Sequence, residues 1–325
     1  MHETLEQILA AYQIHPINQR KISESVYEIT DQKRQKYALK CSRLTDDKLK
    51  KWLHVYELAA TIPLPEVIPV YLHQSEDLYI NYQNQIYYIT PWLEKAEIDW
   101  SKYFQVLANV HVHTKKSTVF PLQQTVKTFN QYESYCRQMQ TRLLEWVELF
   151  ERQHYMSPVE LQVCTHYREM NIAIERILTM LSVFIEEINN QHEWSISLCH
   201  GNVRREHFVG TNRLHLISWE NAYFENAIHD LVHLFSQEAT YYDKDFKDWN
   251  ELFFGSYIQV NPLNKLELLL LIIYLLDMSK YMQTIEQSIL HRIDMVVAVQ
   301  KLQKLYRKII FGLHFADHVE QQEKS

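Results

Sequence analysis

Two stretches near the start of the chain alternate between apolar and polar positions, residues 21–29 and residues 36–41, with a polar turn between them. Alternation with a period of two is typical of a strand with one buried face, so the pair predicts a β-hairpin. Thr45, followed by Asp46 and Asp47, predicts the start of a helix that runs to about residue 61. Further strands are predicted at residues 70–73, 78–82 and 85–90, and a short helix at residues 1–15.

After Pro91 the spacing of the apolar positions becomes helical, with one interruption by short strands at residues 196–218. The sequence therefore predicts an α+β fold made of one bilobal domain. A strand-rich N-terminal lobe is expected over residues 1–91 and a helical C-terminal lobe over residues 92–325, with a solvated tail at the end. The predicted helices cover residues 99–114, 123–153, 158–190, 226–240, 246–257, 262–279 and 283–313, and the predicted tail covers residues 320–325.

Composition narrows the class of protein. The chain has 325 residues, 46% of them hydrophobic, which is enough for a sizeable buried core. Its formal net charge of −7 provides no basic surface for nucleic acid, so no nucleic-acid partner is expected. Its four cysteines form no Cys-x-x-Cys pair, which is typical of reduced thiols in the cytoplasm. The longest apolar run, residues 268–276, is far shorter than the about 20 residues that cross a bilayer, so it predicts a core helix and no membrane span.

The most informative segment lies in the second half of the chain, at residues 198–220. It contains a His-Gly pair followed by Asn202, then His207, and then Ser218 within an Ile-Ser-Trp-Glu run. Phosphotransferases of the kinase class have a catalytic Asp after the histidine and an Asn about five residues later. About ten residues further, a second Asp binds magnesium. The layout is present in this chain, but its reactive carboxylates are replaced.

This layout, followed by Asp230, resembles the pattern of the aminoglycoside phosphotransferase and choline kinase superfamily, and within it the spore-coat kinase-like proteins of the CotS family. Three upstream motifs agree with the resemblance. The run from Tyr37 to Lys40 is similar to the strand that carries the phosphate-binding lysine, residues 88–93 to the interlobe hinge, and residues 107–111 to a Leu-Ala-x-Leu-His helix. The resemblance covers about residues 18–240 and implies a kinase-like bilobal fold.

The resemblance also implies that three positions of the site are degenerate. Asn202 stands in place of the proton acceptor, and His207 and Ser218 stand in place of the metal ligands. An amide has no useful basicity near neutral pH, and magnesium prefers hard oxygen ligands that include a carboxylate. We therefore expect no working catalytic residue, no metal site and no cofactor. Glu206 and Glu220 are alternative metal ligands, which leaves open an active phosphotransferase for a sugar or an amino-alcohol, with ATP and magnesium as cofactors.

By the same resemblance, Lys40 is a candidate remnant phosphate contact, although it could also be an ordinary strand lysine. The helix at residues 45–61 offers Glu57 or Asp47 as its acid partner. Folds that bind ATP wrap glycine backbone around the phosphates, but the loop at residues 22–27 contains Glu24 and no glycine. The four glycines all lie after residue 200. This composition argues against ATP binding.

His200 and Asp230 are expected to be structural, because in the resembling family the equivalent Asp supports the catalytic loop through backbone hydrogen bonds. The resemblance then implies a non-catalytic kinase-fold protein, or pseudokinase, with a structural or assembly role in the bacterial endospore coat. It would be made in the mother-cell cytoplasm, deposited in the coat and bound to other coat proteins. A nucleotide-binding switch without turnover is a further alternative.

Two histidine pairs add one more possibility. His229 and His233 are spaced to share one helix face, and His111 and His113 lie close along the chain. Such pairs can bind zinc, but no third ligand is marked in the sequence. Zinc binding is therefore kept only as a minor alternative.

Overall fold

The computed structural model of the chain describes residues 2–324, apart from residues 96, 98, 191–192 and 239–252. The described part forms two compact units, Met1–Lys115 with Ser197–Phe224, and Lys116–Ile196 with Glu225–Ser325. This division differs from the boundary that the sequence analysis placed after Pro91. The reason is that the helix after Pro91 and the segment Ser197–Phe224 belong to the same compact unit as the sheet.

The elements alternate between short strands and longer helices, and strands dominate the first third of the chain. In chain order they are α1 (His2–Ala11), β1 (Pro16–Lys21), β2 (Val26–Asp31), β3 (Lys36–Ser42), α2 (Asp46–Thr61), β4 (Ile80–Tyr82), β5 (Gln85–Pro91), α3 (Trp100–Thr114), β6 (Lys116–Val119), α4 (Leu122–Glu151), α5 (Pro158–Ile188), β7 (Glu193–Cys199), β8 (Phe208–Val209), β9 (His215–Leu216), β10 (Tyr223–Glu225), α6 (Ile228–Glu238), α7 (Lys265–Leu276), α8 (Ser279–Ile289) and α9 (Met295–Lys324).

The first unit is built on a five-stranded sheet in the order β1-β2-β3-β5-β4, with every neighbouring pair antiparallel. The predicted antiparallel sheet of about five strands is confirmed, but its membership differs in two places. Residues 70–73 are not a strand, and residues 21–29 contain the end of β1, a turn and the start of β2. Sequence analysis missed β1 because this strand is largely exposed and carries little apolar pattern.

The two faces of this sheet have different neighbours, since side chains alternate along each strand. On one face, Leu39 and Ile89 are buried in one apolar cluster with residues of α1. The opposite face carries Lys40 and Tyr88, which are paired across β3 and β5. There the ring of Tyr88 lies 4.9 Å from the ring of Trp52 on α2, measured between centroids. The period of two therefore places Lys40 on the same face as α2.

The predicted start of α2 is confirmed, because the side chain of Thr45 caps the helix by accepting the backbone N–H of Lys48. Helix α1 is shorter than predicted. It ends at Ala11, and the left-handed backbone of Gln13, with φ of 58°, turns the chain toward β1.

Within the first unit, backbone bridges and a hydrogen bond attach residues 197–224 to residues from the first part of the chain. The parallel bridge between Val67 and Leu216 and the antiparallel bridge between Lys95 and Val209 join residues far apart in sequence. The backbone N–H of Leu198 donates to Thr114 Oγ1 at 2.9 Å, which holds the end of β7 against α3. These contacts fix the position of residues 197–224 within this unit.

The second unit is mainly helical. Helix α4 packs along α5, and α5 also packs against α7 and α9. A capping box begins α5: Ser157 Oγ accepts the N–H of Glu160, whose side chain accepts the N–H of Ser157, as the sequence predicted. A second capping box, made by Asn264 and Glu267, begins α7. Both starts are thus set by local hydrogen bonds.

Several predicted helix bounds in this unit are wrong. The predicted helix at residues 283–313 is two helices, α8 and α9, separated by a turn in which His291 has φ of 52°. The predicted solvated tail is not a coil, because α9 continues to Lys324. Most of the helix predicted at residues 246–257 lies outside the described residues.

The apolar sequence that includes α7 meets the length and composition criteria for a membrane span. Within the described residues, one stretch, Lys265–Ile289, is long and apolar enough to cross a membrane by length and composition. Of its most apolar window, 67% is buried inside the structure. Core helices of soluble proteins also meet these two criteria, so the stretch does not indicate a membrane span.

Candidate functional site

The segment that follows β7 is organised around one buried histidine. His200 Nδ1 accepts the backbone N–H of Asn202 at 3.3 Å, and its Nε2 lies 2.8 Å from the carbonyl oxygen of Ile217. These contacts assign the proton to Nε2, which donates it to that carbonyl. His200 therefore ties the loop after β7 to the run that carries Ser218.

The next residue must be glycine. Gly201 has φ of +75°, and a Cβ atom added there would lie 2.1 Å from the carbonyl oxygen of Asn221. Any side chain at this position would both strain the backbone and collide with it. This is the first glycine in the chain, and its position is set by close packing of the loop.

The side chain of His207 is bound to the backbone of Asn202. Asn202 Oδ1 accepts Nε of Arg204 at 3.0 Å, and the carbonyl oxygen of Asn202 accepts Nδ1 of His207 at 2.9 Å. Burial, with further contributions from His200 and Lys40, lowers the pKa of His207 to about 3. His207 is therefore a neutral imidazole at physiological pH, with its proton on Nδ1.

Lys40 forms the electrostatic centre of the site. Its Nζ lies 2.5 Å from Glu220 Oε1 and donates to Ser218 Oγ at 2.9 Å. Glu220 Oε1 also accepts the hydroxyls of Tyr88 at 2.6 Å and Ser42 at 3.1 Å. One carboxylate oxygen thus receives one ammonium and two hydroxyl groups.

The pKa of Glu220 follows from these contacts. Its side chain is only 10% exposed, and burial alone would raise the pKa. The charge of Lys40, with hydrogen bonds from Lys40 and Tyr88, outweighs burial and lowers the pKa to about 2. Burial next to this carboxylate raises the pKa of Tyr88 well above its ordinary range. Glu220 is therefore ionised and Tyr88 protonated at neutral pH.

Neither of the two acids of α2 that the sequence offered as partners pairs with Lys40. Glu57 lies 3.4 Å from His54, and Asp47 pairs with Lys51 on the exposed side of α2. Helix α2 instead places buried aromatic residues, Trp52 and Tyr56, on its inner side. The partner is Glu220, which sequence reasoning had considered only as a substitute metal ligand.

Ser218 occupies a conformation that is unusual for serine. Its φ of 73° and ψ of 51° lie in the left-handed region, immediately before the short 3₁₀ turn Trp219–Asn221. The buried indole of Trp219 donates to the carbonyl oxygen of Leu216 and anchors that turn. The anchored turn positions Ser218 Oγ and Glu220 Oε1 on the same ammonium group.

A cavity of about 500 Å³ opens beside this cluster, entirely within the first unit. Lys40, Ser218 and Glu206 lie on its polar side. Its apolar wall includes Ala38 and Ile217. The predicted hinge at residues 88–93 also contributes to the lining, through Tyr88 and Thr90 to Leu93. The remaining lining residues are Arg20, Ile22, Ser23, Val26, Tyr56, Ile68, Glu94, Lys95 and Val209.

Asp230 lies in the second unit, in the first turn of α6, and is 1% exposed. His113 Nδ1 contacts the carbonyl oxygen of Asn109 in its own helix, and His233 Nε2 contacts Gln237.

Two residues of the site were not found by sequence reasoning, Tyr88 and Ser42. The strand pattern could have indicated both residues. Ser42 lies two positions from Lys40 on β3, and Tyr88 is paired with Lys40 across β3 and β5. Residues at such positions share one face. The pattern does not show that the hydroxyls of both residues donate to Glu220.

Comparison with known proteins identifies the architecture. No family model and no curated protein sequence matches the chain. Solved structures do match over nearly the full length. An aminoglycoside phosphotransferase from Alicyclobacillus acidocaldarius subsp. acidocaldarius DSM 446 aligns with a TM-score of 0.73 and 16% identity, covering 98% of this chain and 95% of that one.

Two other matches have lower scores. The spectinomycin phosphotransferase APH(9)-Ia, in complex with ADP and spectinomycin, has a TM-score of 0.56 and 13% identity, covering 97% of this chain and 98% of that one. The amicoumacin kinase hAmiN, with AMP-PNP and Ca²⁺, has a TM-score of 0.55 and 14% identity, covering 95% and 92%. At such low identity the likeness shows the fold alone. The chain has the kinase-like α+β fold of the aminoglycoside phosphotransferases, as predicted.

Proposed function

We propose that this chain is a non-catalytic member of the kinase-like fold, a CotS-like pseudokinase that acts as a structural or assembly component of the bacterial endospore coat. The observation that carries the non-catalytic part is the contact of Lys40 Nζ with Glu220 at 2.5 Å and Ser218 at 2.9 Å. Lys40 Nζ contacts both other groups, so its positive charge is compensated within the chain.

This arrangement opposes nucleotide binding for an electrostatic reason. A lysine that holds a phosphate must offer its positive charge to the ligand. Here that charge is compensated by Glu220, whose own pKa of about 2 reflects how strongly the two interact. A triphosphate would therefore share the Lys40 ammonium with Glu220 and Ser218, which weakens its attraction for the phosphates.

The donor set does not fit magnesium. Asn202 provides an amide, His207 a neutral imidazole and Ser218 a hydroxyl that already accepts from Lys40. Magnesium selects hard oxygen ligands, and carboxylates above all. Glu220 is engaged by Lys40, Tyr88 and Ser42, and Glu206 pairs with Arg205, so we derive no metal-dependent step at this site.

The coat assignment, the deposition from the mother-cell cytoplasm and the binding to other coat proteins rest on the sequence resemblance. The physical argument adds one point to them. A fold whose reactive groups neutralise one another keeps its shape without its reaction, which suits a role based on contacts with other proteins.

The rival function is an active phosphotransferase for a sugar or an amino-alcohol. The cavity of about 500 Å³ next to Lys40 favours it, because a ligand-sized space remains and Glu206 lines it. In this alternative Glu206 and Glu220 hold the metal, which requires Lys40 to release Glu220.

Turnover measurements separate the two functions. Wild-type protein and Asn202→Ala are assayed for ATP turnover with sugars, choline and amino-alcohols, and we expect none in either. In a melting curve, we expect ATP with magnesium to leave the transition unchanged, whereas a ligand at 100 times its Kd stabilises by about 2.7 kcal/mol. Turnover by the wild type that is lost in Asn202→Ala would overturn the proposal.

A rescue experiment tests the same point in the opposite direction. Asn202→Asp alone should restore no activity, since no ligand set for magnesium accompanies it. The triple change Asn202→Asp, His207→Asn, Ser218→Asp tests whether magnesium binding returns, because groups that act as a unit recover together. Activity in the single variant would show that metal ligands are already present.

The coat role is tested in a spore-forming bacterium that carries this gene. A fluorescent fusion should move from the mother-cell cytoplasm to the forming coat during sporulation. A signal that remains evenly distributed in the cytoplasm would contradict the coat assignment, whatever the outcome of the turnover assays.

A further inference from the structure

The turn between α8 and α9 is apolar and exposed. Five of the residues at positions 289–297 are large and hydrophobic, and between 41% and 60% of the surface of each is exposed. They are Ile289, Leu290, Met295, Val296 and Val297. Single exposed apolar residues are normal on a protein surface, whereas a contiguous group of them indicates an interaction site.

The end of α4 lies beside this turn. Tyr132 donates to Asp277 at 2.8 Å, and further along α4 Arg142 donates to Glu286 at 3.0 Å. Both contacts advance in the same direction along the two segments, so α4 and α8 run parallel and the last turns of α4 lie next to the turn after α8. Leu149, two helical turns after Arg142 and on the same face of α4, is 52% exposed.

The helices α5 and α9 begin at the same end of the helical unit. Gln162 donates to Gln303 at 2.9 Å, and further along both helices Arg176 donates to Asp317 at 2.8 Å, so α5 and α9 also run parallel. Tyr155 lies between α4 and α5 and is 85% exposed. It is therefore at the end of the unit where α9 begins.

These residues form one surface that the fold holds in place. We define the apolar end surface as residues 289–297, Leu149 and Tyr155. Asp294 Oδ1 accepts the backbone N–H groups of Val296 at 2.9 Å and of Val297 at 3.2 Å, which caps the start of α9. Both valines are thus fixed in the first turn of a helix, and a partner that covers them causes little loss of conformational entropy.

The area of the apolar end surface suits one half of a protein interface. Seven large side chains that are about half exposed or more leave on the order of 500 Å² of apolar surface in water, at the upper end of the range for monomers. A standard interface buries about 800 Å² on each partner, and about 60% of that area is non-polar. One apolar end surface therefore supplies the apolar area that one partner contributes to a stable dimer.

Charged groups of both signs lie around this surface. Arg292 is in the turn and Glu151 is the last residue of α4, and both are exposed. Neither forms an ion pair with the residues that the structure describes, whereas Arg152 pairs with Glu148 at 3.8 Å. A surface with one unpaired cation and one unpaired anion is complementary to a copy of itself, because each contact occurs twice across a two-fold axis. An acidic membrane surface, in contrast, attracts clusters of basic residues.

We propose that two copies of this chain associate through their apolar end surfaces in a two-fold symmetric dimer. Leu290 and Val296 of each copy are buried against the other copy, and Arg292 of one copy pairs with Glu151 of the other. The proposal concerns the helical unit alone. It depends neither on the site around Lys40 nor on the proposed role in the coat.

Sedimentation velocity of the full-length protein measures the association. We expect a shift from monomer to dimer between about 1 and 100 µM and no larger species, because a two-fold interface closes on itself. Val296→Glu places a charge within the apolar end surface and should raise the Kd of the dimer at least about thirtyfold. The substitution is compatible with the fold, since an acid is favourable in the first turn of a helix.

A matched control and a charge reversal make the test specific. Ile172 is 40% exposed in the middle of α5, away from the apolar end surface, and Ile172→Glu should leave the Kd as in the wild type. Arg292→Glu and Glu151→Arg should each raise the Kd about tenfold. The double variant restores opposite charges and should return the Kd to within about threefold of the wild type.

Two outcomes would overturn the proposal. One is a protein that stays monomeric at about 100 µM, and the other is a dimer that Val296→Glu leaves intact. Co-sedimentation of a monomeric protein with phosphatidylglycerol vesicles would assign the surface to a membrane instead. A double charge variant that does not recover would contradict the pairing of Arg292 with Glu151. Circular dichroism of each variant verifies the fold.

Discussion

Two glutamates five positions apart have opposite environments in this molecule. Glu220, in the first unit, is 9% exposed and contacts Lys40, Tyr88 and Ser42 through one oxygen. Glu225, in the helical unit, lines a cavity with five aromatic residues, and the lining residues that the structure describes include no lysine or arginine. The first carboxylate is neutralised by a lysine of the same unit, and the second lies among aromatic rings.

The difference shows that the environment of each glutamate depends on which side chains the fold places around its carboxylate. Glu220 lies in a short turn anchored by Trp219, which directs it toward a lysine 180 positions earlier in the chain. Glu225 ends β10, among rings contributed by helices and by β7.

The largest expected effect comes from removing the saturated acid. Glu220→Ala leaves the ammonium of Lys40, whose side chain is 19% exposed, and the buried hydroxyl of Tyr88 without their acceptor. We expect a loss of about 3 kcal/mol in the free energy of unfolding, at the lower end for a broken buried pair because Lys40 reaches some solvent. Urea unfolding measures it.

Two further measurements of stability test the comparison, one on a variant of Glu225 and one on a double variant of Lys40 and Glu220. Glu225→Gln, in the other unit, should change the free energy of unfolding by less than about 0.5 kcal/mol. Lys40→Met combined with Glu220→Ala should cost less than Glu220→Ala alone, because no charge is left unpaired. Equal losses for Glu220→Ala and Glu225→Gln would remove the distinction between the two regions.

A second large effect is expected at His200. His200→Ala removes the buried imidazole that bridges the backbone of Asn202 and Ile217, and leaves two polar groups without their partner. We expect a loss of about 2–3 kcal/mol. His229→Ala, at the wall of the aromatic cavity, is the counterpart in the other unit and should cost less than about 1 kcal/mol. The two losses are compared by thermal and urea unfolding.

Acid should destabilise both units through histidines that stay neutral when folded. The folded-state pKa is about 3 for His207 and about 4 for His166, against an ordinary value of 6.5. Between these values the unfolded chain binds the additional proton, so stability is lost as the pH falls below 6.5. Each histidine should cost about 1.6 kcal/mol between pH 6.5 and pH 5.

Variants assign this loss to the two regions. His207→Gln and His166→Gln should each remove about half of the combined loss from the two histidines between pH 6.5 and pH 5. Below pH 4.5 a further loss should remain in both variants, because Glu220 has a folded-state pKa of about 2 and its stabilising charge disappears as the pH falls toward that value. A pH profile that neither substitution alters would refute the assignment.

The smallest predicted effect concerns the left-handed backbone of Ser218. Ser218→Ala loses the hydrogen bond from Lys40 and keeps the strained conformation, so it should cost about 1 kcal/mol. Ser218→Gly loses the same bond but relieves a strain of about 1–2 kcal/mol, so its stability should be near that of the wild type. If both variants are equally destabilised, the strain is not significant.

Much of the fold could be predicted from local pattern. The alternation before Pro91 indicated the antiparallel sheet, Thr45 and Ser157 marked helix starts that the structure confirms, and residues 268–276 indicated a core helix. The errors fall where the pattern is weak. Strand β1 is exposed and almost without apolar alternation, and the break before α9 depends on the backbone of His291.

The sequence by itself determined the change from strands to helices near Pro91, the position of Lys40 on a strand and the residues at positions 202, 207 and 218 that carry no carboxylate, because periodicity and residue type are local properties. Only the tertiary structure decided that Lys40 pairs with Glu220 instead of an acid of α2, and that five aromatic rings surround the cavity of Glu225. Hydrogen bonds and ion pairs act over a few ångströms in space, while Lys40 and Ser218 are 178 positions apart along the chain. No local pattern encodes such a contact, so the electrostatic state of each acid appears only after the chain has folded.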